Sequence, residues 1–172
     1  SVLVNLGLDT TLVKELVSKS FPDAKLLGTS FLLRLAGSIL GILLAILIAF
    51  LIDYEQDFIS FIVITVLSVG LLFQSMDVVE LYLQSQLRSK VSVILKNVSL
   101  LISSLFKVYL LINNYELIYF ALAAVIDLAL AAVLLAIYSD RFFSLRLKEW
   151  LWDSEVAKSL IKTGWPLIIS AL

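Results

Sequence analysis

The side chains able to carry chemistry are most concentrated in LLFQSMDVVELYLQSQLRSK, residues 71–90. At about 100° per residue on a helix, Gln74, Asp77, Glu80, Gln84, Ser85 and Arg88 fall on one side, while Leu72, Val79, Leu83 and Leu87 lie mostly elsewhere. Such a stripe is either a solvated helix end or the rim of a cavity open to the cytoplasm. Arg34 and Lys96, each within about a turn of a segment end, either snorkel to lipid phosphates or form an inward-facing cationic ring around an anion. Asp127 is the charge most clearly inside an apolar segment. A carboxylate there costs about 2.5–3.5 kcal/mol on insertion scales, so it needs a protein partner or a wet cavity. Lys107, on the preceding antiparallel segment, is the natural ion-pair partner; counted from the NNYE tip, the two lie about five residues, or roughly 7.5 Å, apart along the axis. A structural pair and a transport role stand level for Asp127.

Other chemistries are closed off. The chain has no His and no Cys, which removes imidazole bases, thiol nucleophiles, Cys/His zinc sites and His-ligated haem. The sequence contains no Gly-rich phosphate loop, nucleophile elbow or metal-ligand cluster, so no cofactor is expected. A net charge of −1 gives no general attraction to nucleic acid.

The elements that position these groups follow from composition. Hydrophobic residues make up 61% and charged residues 16%, with mean hydropathy +1.05; soluble domains are nearer about 45–50% and about 25%. The expected fold is therefore all-α and membrane-embedded, a multi-span helical bundle. Four complete spans are predicted at about 31–52, 58–80, 91–112 and 117–138, each near the ~20 residues that cross a bilayer. The first contains Gly37 and Gly41 in a GxxxG, with Ala36, Ser38 and Ala45, which predicts close helix packing. The links are short: DYEQD at 53–57, NNYE at 113–116, and the polar stretch 80–90. Both termini run into further apolar sequence, which predicts two truncated helices and a longer protein.

Charge predicts orientation. Of the 13 Lys and Arg, all but Lys107 lie before or at the start of the first span, at or near the second-to-third junction, or after the fourth. DYEQD and NNYE contain none, so these tips are expected outside and the basic segments in the cytoplasm. Residues 139–163 are expected at the interface. There Phe143, Leu145 and Leu147 alternate with Ser144, Arg146 and Lys148, and Trp150 and Trp152 suit the headgroup zone. Asp153 or Ser154 then caps a short surface helix with Val156, Ala157, Leu160 and Ile161 on one face. The next span starts at Gly164, Trp165 and Pro166.

LGLDTTLVKELV at Leu6, LLGTSFLLRLAGSILG at Leu26, LFQSMDVVELYLQSQLRSK at Leu72 and KTGWPLIISAL at Lys162, in this order and spacing, resemble the amino-terminal half of a bacterial polysaccharide biosynthesis flippase of the O-antigen and teichuronic-acid type. That family sits in the multidrug/oligosaccharidyl-lipid/polysaccharide exporter superfamily. The resemblance implies two pseudo-symmetric six-span lobes. Residues 1–138 would be part of the first lobe, 139–163 the lobe connector and 164–172 the start of the second lobe, most of which is missing here. It implies a non-enzymatic activity in the bacterial cytoplasmic membrane: moving undecaprenyl-diphosphate-linked oligosaccharide between leaflets by alternating access. Its partners would be that lipid-linked substrate, the bilayer, the second lobe and other polysaccharide-assembly proteins. Arg34, Arg88 and Lys96 would then hold the diphosphate, Gln74 and Gln84 the sugar hydroxyls, and Asp127, Asp77 or Asp9 would couple to protons or sodium. The alternatives are a cation-coupled multidrug exporter, expected to favour an acidic and aromatic pocket, and a membrane-bound transferase acting on lipid-linked sugars.

Overall fold

The computed structural model describes residues 2–53, 58–142 and 147–170. The helices are α1 (Val2–Ser18), α2 (Asp23–Asp53), α3 (Phe58–Phe73), α4 (Asp77–Ser85), α5 (Ser89–Ile112), α6 (Leu117–Phe142) and α7 (Ser154–Ser170), with short 3₁₀ turns at Gln74–Met76 and Leu147–Glu149. The chain is an all-α multi-span bundle, and four helical stretches are long and apolar enough to cross a membrane: Asp23–Leu51, Phe58–Ser85, Ser89–Ile112 and Leu117–Phe142. Most of the DYEQD tip (54–57) and the segment Phe143–Arg146 lie outside the described residues.

The outward faces are those of a lipid-solvated protein. On α2, Leu40, Leu43, Leu44, Leu47, Ile48 and Leu51 are all exposed at helical spacing, and α5 exposes Leu101, Leu105, Leu111 and Ile112. Water would penalise such stripes; lipid chains do not. Contacts between the spans rest instead on small and hydroxyl residues. Ser38 Oγ donates to the Leu71 carbonyl at 2.8 Å, and a Cβ on Gly41 would lie 3.4 Å from Leu71 Cδ1. The GxxxG is therefore only half used, because a Cβ on Gly37 would meet nothing within 4 Å. Between α5 and α6, Ser103 Oγ donates to the Ala123 carbonyl at 3.3 Å, with Ala121, Ala123 and Ala132 buried opposite.

Two links use one device. Leu87 N donates to Gln84 O at 3.0 Å and Arg88 N to Leu83 O at 2.8 Å; Asn114 N donates to Leu111 O at 3.2 Å and Tyr115 N to Leu110 O at 3.1 Å. Leu87 (φ 58°) and Asn114 (φ 53°) are both left-handed. These are Schellman endings, in which the left-handed residue lets the chain turn back and satisfy the last carbonyls. Asn tolerates that conformation; a leucine pays roughly 1–2 kcal/mol for it.

The predicted second span is continuous helix that tightens at Gln74–Met76. Ser75 Oγ donates to the Leu72 carbonyl at 2.6 Å, which favours the tighter turn. α4 then packs Val78, Leu81 and Tyr82 into a core with Leu12 and Leu16 of α1, Leu26 and Leu27 of α2, and Val156 and Leu160 of α7. This corrects the expectation that the apolar face of residues 154–161 lies on the membrane surface. α7 is one helix from Ser154 to Ser170 and its start lies against protein. Val156, Ala157 and Leu160 are buried as expected of the apolar face, whereas Ile161 is 53% exposed. The apolar pattern is that of an amphipathic helix; Leu12 and Leu16 of α1, and not lipid, receive it.

Candidate functional site: an ionic network beside a cavity

Five charged residues from four helices lie together. Arg34, in the first half of α2, is 7% exposed, and its Nη2 pairs with Asp9 Oδ1 of α1. Lys96 of α5 reaches Asp77 Oδ1 of α4 at 2.9 Å and also pairs with Glu80 Oε2. Asp77 and Glu80 are three residues apart on α4, so both point to the same side and share one ammonium. Asp77, Glu80 and Lys96 also lie close enough to Asp9 to act on it electrostatically. The network runs across α1, α2, α4 and α5.

A cavity of about 250 Å³ adjoins it, lined by Gln74, Asp77, Lys96, Leu100, Asp127 and Ala131 among others. The structure thus gathers Gln74, Asp77, Lys96 and Asp127 at one place. A second, larger open groove of about 630 Å³ lies between α1 and α4, with Asp9, Thr10, Lys14 and Gln84 on its polar side and Val13 and Leu81 on its apolar side. Arg34 faces neither space; it borders a small void with Ser30 and Leu160. Arg88 is exposed at the turn between α4 and α5, and no ion pair with another described residue holds it.

Asp127 and Lys107 do not pair. Ser99 Oγ lies 2.7 Å from the Asp127 carbonyl and 2.8 Å from Asp127 Oδ1, donating its one hydrogen to either. Ser99 opposite Asp127 and Ser103 opposite Ala123 fix the antiparallel register. Lys107 is then level with Tyr119, about 12 Å along the axis from Asp127. Counting from the tip misplaces it because α5 closes with its Schellman turn before α6 begins, which sets the axis of the hairpin at Asn113. Ser99 was missed as a site residue; its signal is the spacing Ser92, Ser99, Ser103, one buried hydroxyl face on α5.

A second polar assembly was also missed. The connector before α7 is clasped to the start of α2. Lys25 Nζ meets Asp153 Oδ2 at 2.7 Å, Asp153 N donates to Thr29 Oγ1 at 3.0 Å, and Leu151 N donates to Ala24 O at 3.3 Å. A Cβ on Gly28 would come within 2.6 Å of the Leu151 backbone, so only glycine permits this approach. Asp153 Oδ1 accepts from Glu155 N at 2.9 Å, so Asp153 is the cap of α7. The Lys25 ammonium, then the Glu155 and Val156 amides, hold the Asp153 carboxyl below the usual carboxylate range. The run GTS at Gly28, unusual inside a helix, was the available signal.

Compared with family models, with curated proteins and with solved structures, the chain has no match.

Proposed function

We propose that this chain is part of a transporter that moves undecaprenyl-diphosphate-linked oligosaccharide across the bacterial cytoplasmic membrane, acting by alternating access and not by catalysis. The observation that carries this reading is the cavity holding Gln74, Asp77, Lys96 and Asp127 among membrane-length helices. Ionisable groups placed inside such helices mark a substrate or ion path by default. The resemblance of the sequence to polysaccharide flippases supplies the substrate class.

The pairing of Lys96 refines the role foreseen for it. Its ammonium is shared by Asp77 and Glu80, so a diphosphate entering the cavity competes with two carboxylates for one cation. Displacing them leaves Asp77 and Glu80 free to take up protons or sodium. Substrate binding and cation uptake are then linked through one lysine. Arg34, buried against Asp9, serves this scheme as part of the framework, and Arg88 as an exposed phosphate contact at the mouth.

A specific observation favours a second reading. Asp9, Asp77, Glu80 and Asp127 outnumber Arg34 and Lys96 in and around the network, and an acidic lining suits a cation-coupled exporter of organic cations. The two are separated by reconstituting the two-lobe protein in liposomes. The flippase reading predicts that a fluorescent lipid-linked oligosaccharide becomes protected from an impermeant oxidant faster than in protein-free vesicles. Protection at the protein-free rate, with gradient-driven uptake of a cationic dye, would replace it with the exporter. Orientation is tested by introduced cysteines: Glu116→Cys should react with an impermeant reagent in intact cells, and Ser89→Cys only after permeabilisation. The opposite pattern would reverse the topology.

A further inference from the structure

Among the described residues, the buried side-chain polar atoms without a hydrogen-bond partner are Ser30 Oγ, Arg34 Nε and Trp150 Nε1. Two of them share one void, and the third lies against the same helix. Ser30 and Arg34 are one turn apart on α2, are 4% and 7% exposed, and border the same small void with Leu12 of α1 and Leu160 of α7. Trp150 belongs to the connector, and its ring meets Phe31 of α2 edge-on at 5.5 Å. All three orphans therefore line the seam that α2 makes with the connector and α7. Elsewhere buried hydroxyls are satisfied: Ser68, Ser75, Ser92, Ser99 and Ser103 each donate to a carbonyl. A buried donor without a partner has given up a hydrogen bond to water and received nothing in return. Three on one seam raise the energy of its closed form specifically.

The same seam carries the clasp. Lys25 with Asp153, Thr29 with the Asp153 backbone, and Leu151 against Gly28 fasten the connector onto the first turns of α2. Polar contacts at the rim hold together an interior whose polar groups favour hydration.

We propose that the seam between α2 and the connector with α7 is a joint that opens to water, with Lys25–Asp153 as the latch that keeps it shut. Opening hydrates Ser30, the Arg34 guanidinium and the Trp150 indole. The proposal does not depend on which molecule is transported. It concerns water access at α2, which an introduced cysteine reads directly in a chain with no cysteine of its own.

The experiment uses Ser30→Cys and, for comparison, Ser103→Cys, which sits 2% exposed in the satisfied seam between α5 and α6. Each is labelled in the full protein in native membranes with a small water-soluble methanethiosulfonate, with and without Lys25→Gln. The expected result is that Ser30→Cys reacts faster than Ser103→Cys, and that releasing the latch raises its rate about two- to five-fold, the range of an exposed ion pair, leaving Ser103→Cys unchanged. If Lys25→Gln lowers the amount of protein, Asp153→Asn, which keeps an oxygen to cap α7, replaces it. Ser30→Cys reacting no faster than Ser103→Cys, with the latch intact or released, would overturn the joint.

Discussion

Two seams of this molecule handle buried polarity in opposite ways. Between α5 and α6, a carboxylate inside a membrane-length helix is accommodated by a neighbour's hydroxyl: Ser99 donates to the Asp127 carbonyl or to its carboxylate, and Ser103 donates to the Ala123 carbonyl. Between α2, α1 and α7, a guanidinium is buried against a carboxylate, yet its Nε and the adjacent Ser30 hydroxyl remain unpartnered. The first seam is small, alanine-lined and satisfied; the second is apolar, with a charge pair at its centre and a clasp at its rim. The difference teaches that depth alone does not assign a role to a charge. Asp127 faces a cavity with one neutral donor, which leaves it available to a ligand, whereas Arg34 is committed to Asp9.

The largest effect should come from breaking that commitment. Arg34→Leu strands the Asp9 carboxylate. It should cost about 2–3 kcal/mol in thermal unfolding of the detergent-solubilised protein, less than a fully buried pair because the Asp9 side chain keeps 31% exposure. Adding Asp9→Leu should recover most of the loss. No recovery would mean that Arg34 acts apart from Asp9. Next comes the clasp: Gly28→Ala drives a methyl into the Leu151 backbone and should cost about 1–3 kcal/mol. Gly37→Ala, which meets nothing within 4 Å, should be neutral or stabilising by up to about 1 kcal/mol. Equal effects at the two glycines would remove the clasp from the account.

In the satisfied seam the expected changes are smaller. Ser99→Ala should cost about 1–2 kcal/mol by removing the one hydroxyl bonded to Asp127. Asp127→Asn should leave folded yield unchanged, since the amide oxygen still accepts. A double-mutant cycle of Asp127→Asn with Lys107→Gln should show coupling within about 0.3–0.5 kcal/mol, the value for independent sites. A larger coupling would restore the pair that the helical register separates.

The smallest effect concerns pH at the latch. The Asp153 carboxyl is held below its ordinary value by Lys25 and the first amides of α7. Its contribution is therefore present above the ordinary carboxylate range, near pH 4, and is lost as pH falls through the lower folded-state value. Labelling of Ser30→Cys should accordingly quicken below about pH 4 in reagent chemistry suited to acid, and Asp153→Asn should flatten that dependence. An unchanged rise in Asp153→Asn would assign it to another group.

Much of this was legible in the sequence for physical reasons. Lipid permits unbroken apolar runs, so the spans at about 31–52 and 58–80 announced themselves. The stripe kept helical phase across the 3₁₀ turn, so Gln74 and Asp77 both line the cavity and Glu80 reaches Lys96 beside it. The turn at Leu87 was not legible, since leucine carries no left-handed signal and the Schellman bonds are backbone. The partner of Lys96 was hidden for another reason: pairing across helices depends on interhelical register, which one chain's spacing does not encode. The same ignorance of register misplaced Lys107 against Asp127. Burial of α7 against α1 was hidden too, because an amphipathic face reads alike whether protein or lipid covers it.

In the proposed function, Lys96 passes between Asp77 with Glu80 and a diphosphate as the substrate enters. The measurement is the rate at which the reconstituted full-length protein translocates fluorescent lipid-linked oligosaccharide, compared for the unmodified chain, Lys96→Arg and Lys96→Gln at matched membrane abundance. A loss of at least about tenfold is expected for Lys96→Gln, the value of one charge-assisted phosphate contact, with much of the rate kept by Lys96→Arg. Translocation by Lys96→Gln at the unmodified rate would contradict it.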